Sequence, residues 1–354
     1  MNFLTSIRGL AALLVVFYHV KHFLPPIAVL GVLYPLFADG YLAVDFFLVL
    51  SGFIISYKYA AEFKDGVSAN FLDFIARRLA RIYPLHVFVM LCFLTLPIGL
   101  YVTGRGYDSS TFGMTSFVAK FFLVDLWLSG TSTWDTWNVP SWTISGELFA
   151  YLTFPLFVYL YQGVGARMKM ALLAGAVALL IGLFQSFGCA SIGGCIGQLG
   201  LLRCAVEFVL GIGVWFLLVE TRTFGATYFK IVALVSIVLL VVAFRSGVSN
   251  YYFAPPLFAS TLYGLVGYRS YLHDFLELRL LVYLGEISYS VYLTHLFLRD
   301  LLFNLFLATG EAPGLAFILF YVGVTLLFSV ATYHWIEVPF RKRAYIFPGL
   351  KKAA

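Results

Sequence analysis

The chain has 354 residues and a formal net charge of +6; 62% of its residues are hydrophobic and only 11% are charged. Soluble domains carry about 25% charged residues, so this composition excludes a cytosolic enzyme, a disordered chain and a small secreted domain held by disulfides. The apolar stretches are continuous over about 20 residues, which is typical of membrane-spanning helices and not of the alternating strands of a β-barrel.

Ten stretches, taken in chain order, are predicted to span the membrane. They are residues 4–24, 41–58, 82–102, 142–161, 169–187, 201–219, 230–244, 252–268, 281–306 and 314–334. The segment 117–128 is too short to span and contains Lys120 and Asp125, so we predict an interfacial helix there. The predicted fold class is all-α, a polytopic membrane helical bundle of about ten transmembrane helices. Residues 1–340 would form a single transmembrane domain and 341–354 a basic cytoplasmic tail.

Lys and Arg are distributed unevenly between the two sides of this bundle. With ten spans both termini share one side, and most of the 23 Lys and Arg residues fall on that side. Cytoplasmic loops carry such an excess, so we predict that both termini are cytoplasmic. Contact with anionic lipid headgroups explains the basic net charge, and no nucleic-acid partner is needed.

Two of the four cysteines share a short loop on the outer side. Cys189 and Cys195 would form a small disulfide in an oxidising compartment and remain free thiols otherwise, and the sequence leaves both alternatives open. Cys92 and Cys204 fall in or near spans and are predicted to be packing residues.

Ionisable residues inside spans are costly, at about 2.5–3.5 kcal/mol near the centre, so each is a candidate functional residue. Arg8 and His19 are eleven residues apart; on a helix they would point the same way with an axial separation of about 16 Å. Asp45 opens the second span and Glu147 the fourth, at a depth that His19 could share. A carboxylate there would fix the imidazole tautomer and raise its basicity, which predicts His19, Asp45 and Glu147 as catalytic residues. The alternatives are a snorkelling Arg, a structurally satisfied His and two acids that face water.

Arginines near the predicted cytoplasmic surface form a second group. Arg78 and Arg81 lie in the predicted loop before the third span, three residues apart, and would share one face of a short helix. With Arg8 they could clamp phosphates through bidentate hydrogen bonds, or they could be ordinary positive-inside anchors.

A third group of residues is predicted to contact a substrate. Ser288, Tyr292 and His295 recur at spacings of four and three and form a polar stripe on an otherwise apolar helix, unless they serve only as interhelical hydrogen bonds. The outer loop 103–141 carries Trp127, Trp134, Trp137 and a run of small hydroxyl residues, which suits sugar rings or an interfacial aromatic belt. We predict Trp137, Trp142, Tyr292 and His295 as substrate-binding residues and assign no metal ligand. Glu337, in His334-Trp-Ile-Glu337, is interpreted as part of an interfacial anchor.

Taken together and in this order, six segments resemble the acyltransferase 3 family of integral-membrane acyltransferases. They are Arg8 with ten residues before His19, Asp45-Phe-Phe-Leu-Val-Leu-Ser-Gly-Phe, Arg78-x-x-Arg81-Ile-Tyr-Pro, Pro140-Ser-Trp-Thr-Ile-Ser-Gly-Glu147-Leu-Phe, Leu284-Gly-Glu-Ile-Ser-Tyr-Ser-Val-Tyr-Leu-Thr-His295 and Trp335-Ile-Glu337-Val-Pro-Phe-Arg341. One departure is Gly146, where members often carry Val. A second is that no extracytoplasmic hydrolase-like domain is appended, so we expect a stand-alone version.

The resemblance implies a reaction and a set of partners. An acyl group, usually acetyl, would move from cytoplasmic acyl-CoA to a hydroxyl of a surface glycan or its lipid-linked precursor, at the inner (plasma) membrane. Arg8, Arg78 and Arg81 would hold the donor, and His19, Asp45 and Glu147 would carry the chemistry. Acetyl-CoA is expected as a donor substrate and no cofactor as a permanently bound group. The alternatives are a secondary transporter with a proton relay and a non-catalytic partner in polysaccharide assembly; the oligomeric state stays open.

Overall fold

The computed structural model describes residues 1–24, 34–64, 70–104, 110–127, 135–246, 251–307 and 313–343. The regular secondary structure of these residues is helical throughout. The α-helices are α1 (Asn2–Val20), α2 (Ala43–Tyr59), α3 (Phe71–Phe93), α4 (Thr95–Val102), α5 (Met114–Phe121), α6 (Ser141–Gln162), α7 (Ala166–Ser186), α8 (Ile196–Thr221), α9 (Ala226–Arg245), α10 (Ala254–Gly267), α11 (Tyr271–Leu276), α12 (Arg279–Glu286), α13 (Ser288–Leu307), α14 (Leu315–Thr332) and α15 (Val338–Arg343). A π-helical turn, Tyr333–Glu337, joins the last two.

Nine helical stretches among the described residues are long and apolar enough to cross a membrane, which confirms the predicted polytopic helical bundle. They are Asn2–Phe23, Gly40–Phe63, Phe71–Val102, Ser141–Gln162, Ala166–Ser186, Ile196–Thr221, Ala226–Arg245, Ser288–Leu307 and Leu315–Arg343. The tenth prediction, 252–268, corresponds to α10, which has 14 residues. At 1.5 Å per residue α10 is about 21 Å long, less than the roughly 30 Å of a hydrocarbon core.

Several helix boundaries differ from the prediction. Residues 77–81, predicted as a loop with a short helix before the third span, lie within α3, because buried Phe74, Ile82, Leu85 and Val89 continue one apolar face. The predicted span 281–306 is divided at Ile287 into α12 and α13.

The interfacial helix predicted over 117–128 is shorter than expected and begins earlier. Helix α5 ends at Phe121, and Leu123 takes a left-handed conformation with φ of 57° that turns the chain before Asp125.

The chain divides into two compact units. Unit 1 comprises Met1–Tyr41, Leu72–Ser145 and Leu278–Ala354, and unit 2 comprises Leu42–Phe71 and Gly146–Glu277. The single transmembrane domain predicted for residues 1–340 stays a prediction, and 344–354 of the predicted tail lie outside the described residues.

In unit 1, α1 and α12 pack at a close backbone contact between two glycines. A Cβ on Gly9 would lie 2.7 Å from the Gly285 nitrogen, and a Cβ on Gly285 would overlap the Thr5 carbonyl. Only glycine allows this approach, which brings the first helix, with Arg8, against the end of α12.

Unit 2 is built around the contact between α2 and α8. Here a Cβ on Gly52 would overlap the Phe208 carbonyl, and one on Gly211 would overlap the Val49 carbonyl. Cys189 and Cys195 form a disulfide just before α8, which resolves the alternatives that the sequence left open.

Candidate active site

His19 lies near the C-terminal end of α1 and is half-buried. Its ring is 5.1 Å from the His295 ring, centroid to centroid, and 5.0 Å from the ring of Tyr18, which meets it edge-on. Within the described part of the chain no residue hydrogen-bonds either nitrogen of the His19 ring. A ring nitrogen that bonds no group of the protein can act as a general base or a nucleophile.

His295, on α13, is fully buried beside His19. Its Nδ1 lies 2.6 Å from the Tyr292 carbonyl oxygen, and because a carbonyl only accepts, Nδ1 carries the proton. In the neutral ring Nε2 is then a lone-pair acceptor, and it is buried without a hydrogen-bond partner among the described residues. The structure thus places a second imidazole next to the half-buried one.

Tyr292 joins α13 to the start of α6. Its hydroxyl lies 2.9 Å from the Thr143 hydroxyl and 3.2 Å from the Pro140 carbonyl oxygen, to which it donates. The Asn138 amide adds a bond of 3.3 Å to the Leu293 carbonyl. Tyr292 and His295 therefore lie in one buried, hydrogen-bonded stretch of α13, and their predicted contact with substrate stays a prediction.

The two predicted substrate-binding tryptophans are both packed inside unit 1. Trp137 is 6% exposed, donates its indole N–H to the Gly113 carbonyl at 3.0 Å, and has the rings of Phe112 and Phe117 about it at 5.1 and 4.9 Å. Trp142 is 7% exposed. Trp134 and most of the hydroxyl-rich run lie outside the described residues. The predicted role of Trp137 and Trp142 in sugar binding stays a prediction.

Arg8 binds the junction between α12 and α13, which we define as residues 285–290. Its Nε donates to the Ser288 hydroxyl at 2.8 Å and its Nη2 to the Gly285 carbonyl at 2.7 Å. The glycine contact between α1 and α12 makes these bonds possible. Because α1 is one continuous helix, the rise from Arg8 to His19 is about 16 Å, as predicted from the spacing.

Arg81 reaches the same α12–α13 junction from α3. Its Nη1 lies 3.1 Å from Oε2 of Glu337, whose side chain is 1% exposed, and Glu337 also accepts a hydrogen bond from Ser290. The Tyr289 hydroxyl donates to the Ile82 carbonyl at 2.6 Å, which holds the junction against α3. The structure therefore brings Arg8 and Arg81 to one short segment. Arg78 is half-buried one turn earlier on α3.

The sequence did not reveal this role of Glu337. The residue was interpreted as part of an interfacial anchor, whereas in the π-helical turn it is a buried partner of an arginine. The signal that could have identified it is an acid directly after the apolar end of the last long helix.

In unit 2, Asp45 lies in a fully buried ionic cluster. Arg203 donates Nε to Oδ1 of Asp45 at 2.9 Å and Nη2 to Oδ2 at 2.7 Å, so both carboxylate oxygens are occupied. The same Nε lies 3.2 Å from Oε1 of Glu207, and Nη1 donates to the Ile192 carbonyl at 2.8 Å. Sequence reasoning missed Arg203 and Glu207, although two opposite charges four residues apart in an apolar span were a usable signal.

Glu147, the other predicted acid, is half-buried in unit 2. Its Oε1 accepts a hydrogen bond of 2.6 Å from the Ser51 hydroxyl and one of 2.5 Å from the Tyr151 hydroxyl. Asp45 and Glu147 belong to one unit and His19 to the other. The predicted pairing of these acids with the imidazole stays a prediction.

A second ionic cluster, in unit 1, was also missed. Lys120 is fully buried, with its ammonium 3.1 Å from Asp125 and 3.4 Å from the Ser141 hydroxyl. Burial lowers the pKa of Lys120 below its ordinary value, and the Asp125 carboxylate opposes that shift. His86 bonds the Lys120 carbonyl through Nε2 at 2.8 Å. The cluster fixes the segment before α6 and is not an interfacial surface.

Among the described residues no group of three or more His, Cys, Asp or Glu side chains could hold a metal ion.

Residues 1–334 match the family profile described as an acyltransferase domain. The chain belongs to the acyltransferase 3 family. It is therefore a multi-pass membrane protein, in keeping with its apolar helices. It is 32% identical over 180 residues to "Acyltransferase MdmB" of Streptomyces mycarofaciens, covering 50% of this chain and 44% of that protein. It is 30% identical over 191 residues to "Protein 2 in picA locus" of Rhizobium radiobacter, covering 50% of this chain and 90% of that one. No solved structure matches the chain.

Proposed function

We propose that this protein is an O-acyltransferase of the plasma membrane. It moves an acyl group, in the simplest case acetyl, from cytoplasmic acyl-CoA to a hydroxyl of a cell-surface glycan or its lipid-linked precursor. The observation that carries the proposal is His19: a half-buried imidazole whose nitrogens bond no described residue, beside buried His295. Family membership, and the relative whose name is acyltransferase, support the reaction class.

The donor would span the distance between two parts of unit 1. Arg8 bonds the α12–α13 junction directly and Arg81 is linked to it through Glu337; with Arg78 they would hold the phosphates of coenzyme A. The pantetheine arm has an extended length of about 15–20 Å, on the scale of extended covalent chains. That length matches the rise of about 16 Å from Arg8 to His19. The thioester would thus reach the imidazole while the charged nucleotide stays at the cytoplasmic surface.

His19 acts as the general base in this proposal. It takes the proton of the acceptor hydroxyl as that oxygen attacks the thioester carbonyl. A C–O bond forms and the C–S bond breaks. The departing coenzyme A thiolate then receives the proton from His19. The neutral His295 beside it adds no positive charge, so His19 keeps its lone pair for the hydroxyl. Only the acyl group crosses the hydrophobic barrier, which avoids desolvating the phosphates of coenzyme A.

The reaction class is tested with purified protein in lipid nanodiscs. We expect release of free coenzyme A from acetyl-CoA that rises when deacylated envelope glycan is added, together with acylated glycan seen by mass spectrometry. A transporter or a non-catalytic assembly partner would release none. Absence of turnover with acetyl-, butyryl- and palmitoyl-CoA, in protein that melts cooperatively, would contradict the proposal.

The arginines at the α12–α13 junction should govern donor affinity. Truncation of Arg81 alone would leave the buried Glu337 without its cation, a change that costs up to about 3–5 kcal/mol when the pair is fully buried. The informative variant is therefore Arg78→Ala with Arg81→Ala and Glu337→Gln. Charged hydrogen bonds to phosphate contribute about 1.5–3 kcal/mol, so we expect the KM for acyl-CoA to rise about 10- to 100-fold with kcat within a few-fold of the parent.

Steady-state kinetics at saturating glycan measures this split. Two matched variants accompany it: Glu337→Gln alone, for the loss of the acid, and Lys342→Ala, for the loss of an exposed cation in the same unit. Both should leave the KM for acyl-CoA near that of the parent. A low kcat at unchanged KM in the triple variant would assign the arginines to something other than phosphate binding.

A further inference from the structure

Unit 2 contains an apolar groove of 710 Å³ that the proposed reaction does not use. Helices α7, α8, α9 and α10 form its walls. The residues that line it are mostly apolar and include Ala174, Ala178, Ile181, Val214, Ala259 and Tyr263.

Three alanines, at positions 166, 174 and 178, lie among the groove-lining residues of α7 and help to leave this space open. Larger apolar side chains, such as Met170 and Ile181, line the rest of the same face, which runs from 166 to 181 at helical spacing. Small residues in membrane helices ordinarily let two helices approach closely, but here they line a gap. The stretch is about 22 Å long by helix rise, more than one leaflet of about 15 Å.

The shape of the groove fits a hydrocarbon chain. The groove runs for about 22 Å between mostly apolar side chains, and one extended acyl chain has a length on this scale and the same apolar chemistry. We therefore take a single acyl chain as its occupant.

One end of the groove is polar and basic. Thr221 and Tyr263 line that end with their hydroxyls 2.7 Å apart. Three exposed cations lie at the same helix ends, each within two residues of a groove-lining position: Arg167, Arg222 and Lys230. The nearby acid Glu220 is already paired with Lys169. On the predicted topology this end faces the cytoplasm, where the leaflet is rich in anionic lipid.

We propose that this groove is a binding site for an anionic phospholipid of the cytoplasmic leaflet. One acyl chain lies along α7, and the phosphate sits at the basic end, near Arg222 and Lys230, with the Thr221 and Tyr263 hydroxyls beneath it. The lipid would fill a gap that protein side chains leave open and so stabilise the packing of α7 against α8 and α10 within unit 2.

Native mass spectrometry of the full chain released from mixed nanodiscs tests the site. The nanodiscs hold phosphatidylglycerol and phosphatidylcholine with identical chains. We expect retention of one phosphatidylglycerol in preference to phosphatidylcholine. Arg222→Gln with Lys230→Gln should lower that preference about 10- to 30-fold, at about 1 kcal/mol for each cation. Ala174→Trp with Ala178→Trp, which fills the groove, should abolish retention of both lipids.

Matched variants control for changes elsewhere. Leu179→Trp adds the same bulk at an exposed position of α7 that does not line the groove, and Arg245→Gln removes a cation from the opposite end of α9. Both should retain the lipid as the parent does. Unchanged retention by the groove-filling variant, or equal retention of the two lipids by the parent, would each overturn the proposal. Retention is measured without turnover, so the result is independent of the proposed acyl transfer.

Discussion

The variant His19→Ala should lose acyl transfer while remaining in the membrane with the stability of the parent. General-base catalysis contributes about 10²–10⁴-fold, so we expect kcat/KM to fall by about three orders of magnitude. The ring is half-buried and bonds no described residue, so its removal leaves no buried polar group without a partner and creates only a small gap. Release of coenzyme A in the glycan-dependent assay measures the loss, and thermal unfolding in the same nanodiscs measures stability.

His22→Ala is the matched control. His22 lies three residues further along the chain and is exposed, so its truncation removes an imidazole from the same end of the first span without touching the His19–His295 pair. It should keep the turnover of the parent. Turnover of His19→Ala at the parental rate would make His19 a structural residue and remove the base from the proposed mechanism.

Features that depend on local spacing could be predicted from the sequence. Arg8 and His19 lie on one continuous helix, as their separation required, and Tyr292 and His295 lie together on α13. The disulfide between Cys189 and Cys195 is also a local feature. Their spacing allowed a bridge but could not decide between a bridge and two free thiols. Helical periodicity is a property of neighbouring residues, which is why these inferences needed no knowledge of packing.

Features that depend on which helices pack together could not be predicted. Arg203 and Asp45 are separated by 158 residues, and nothing near either residue indicates the other. Arg81 and Glu337 are also far apart in the chain, so their pairing could not be inferred from the residues around either one. The boundary error over residues 77–81 arose differently. Arg78 and Arg81 suggested a solvated loop, while Phe74, Ile82 and Leu85 supplied enough buried apolar surface to continue α3. Long basic side chains can cover apolar surface with their stems, so charge alone is a weak indicator of a loop.

The position of Asp45 changes what its substitution should do. Were Asp45 only to orient His19, Asp45→Asn would give a modest kinetic loss. In the structure both oxygens of Asp45 accept from Arg203 inside a cluster that is 0–1% exposed, with Glu207 as the second acid. The asparagine amide would present N–H donors to a guanidinium that also donates. Breaking a buried ion pair costs about 3–5 kcal/mol, so we expect Asp45→Asn to reduce thermal stability and yield first, with activity falling in proportion to folded protein.

A double-mutant cycle separates structure from chemistry at this cluster. Arg203→Gln should destabilise more than Asp45→Asn, because it leaves two buried acids without a cation, whereas Asp45→Asn with Arg203→Gln should recover part of the stability, since neutral amides can hydrogen-bond one another. Arg203→Lys keeps the charge but loses the bidentate bond and should fall between the parent and Arg203→Gln. Thermal unfolding and kcat/KM per folded molecule are measured for each variant. If Asp45→Asn kept the parental melting temperature and still lost turnover, Asp45 would act in the chemistry itself, and the ion pair with Arg203 would serve to hold the carboxylate in place.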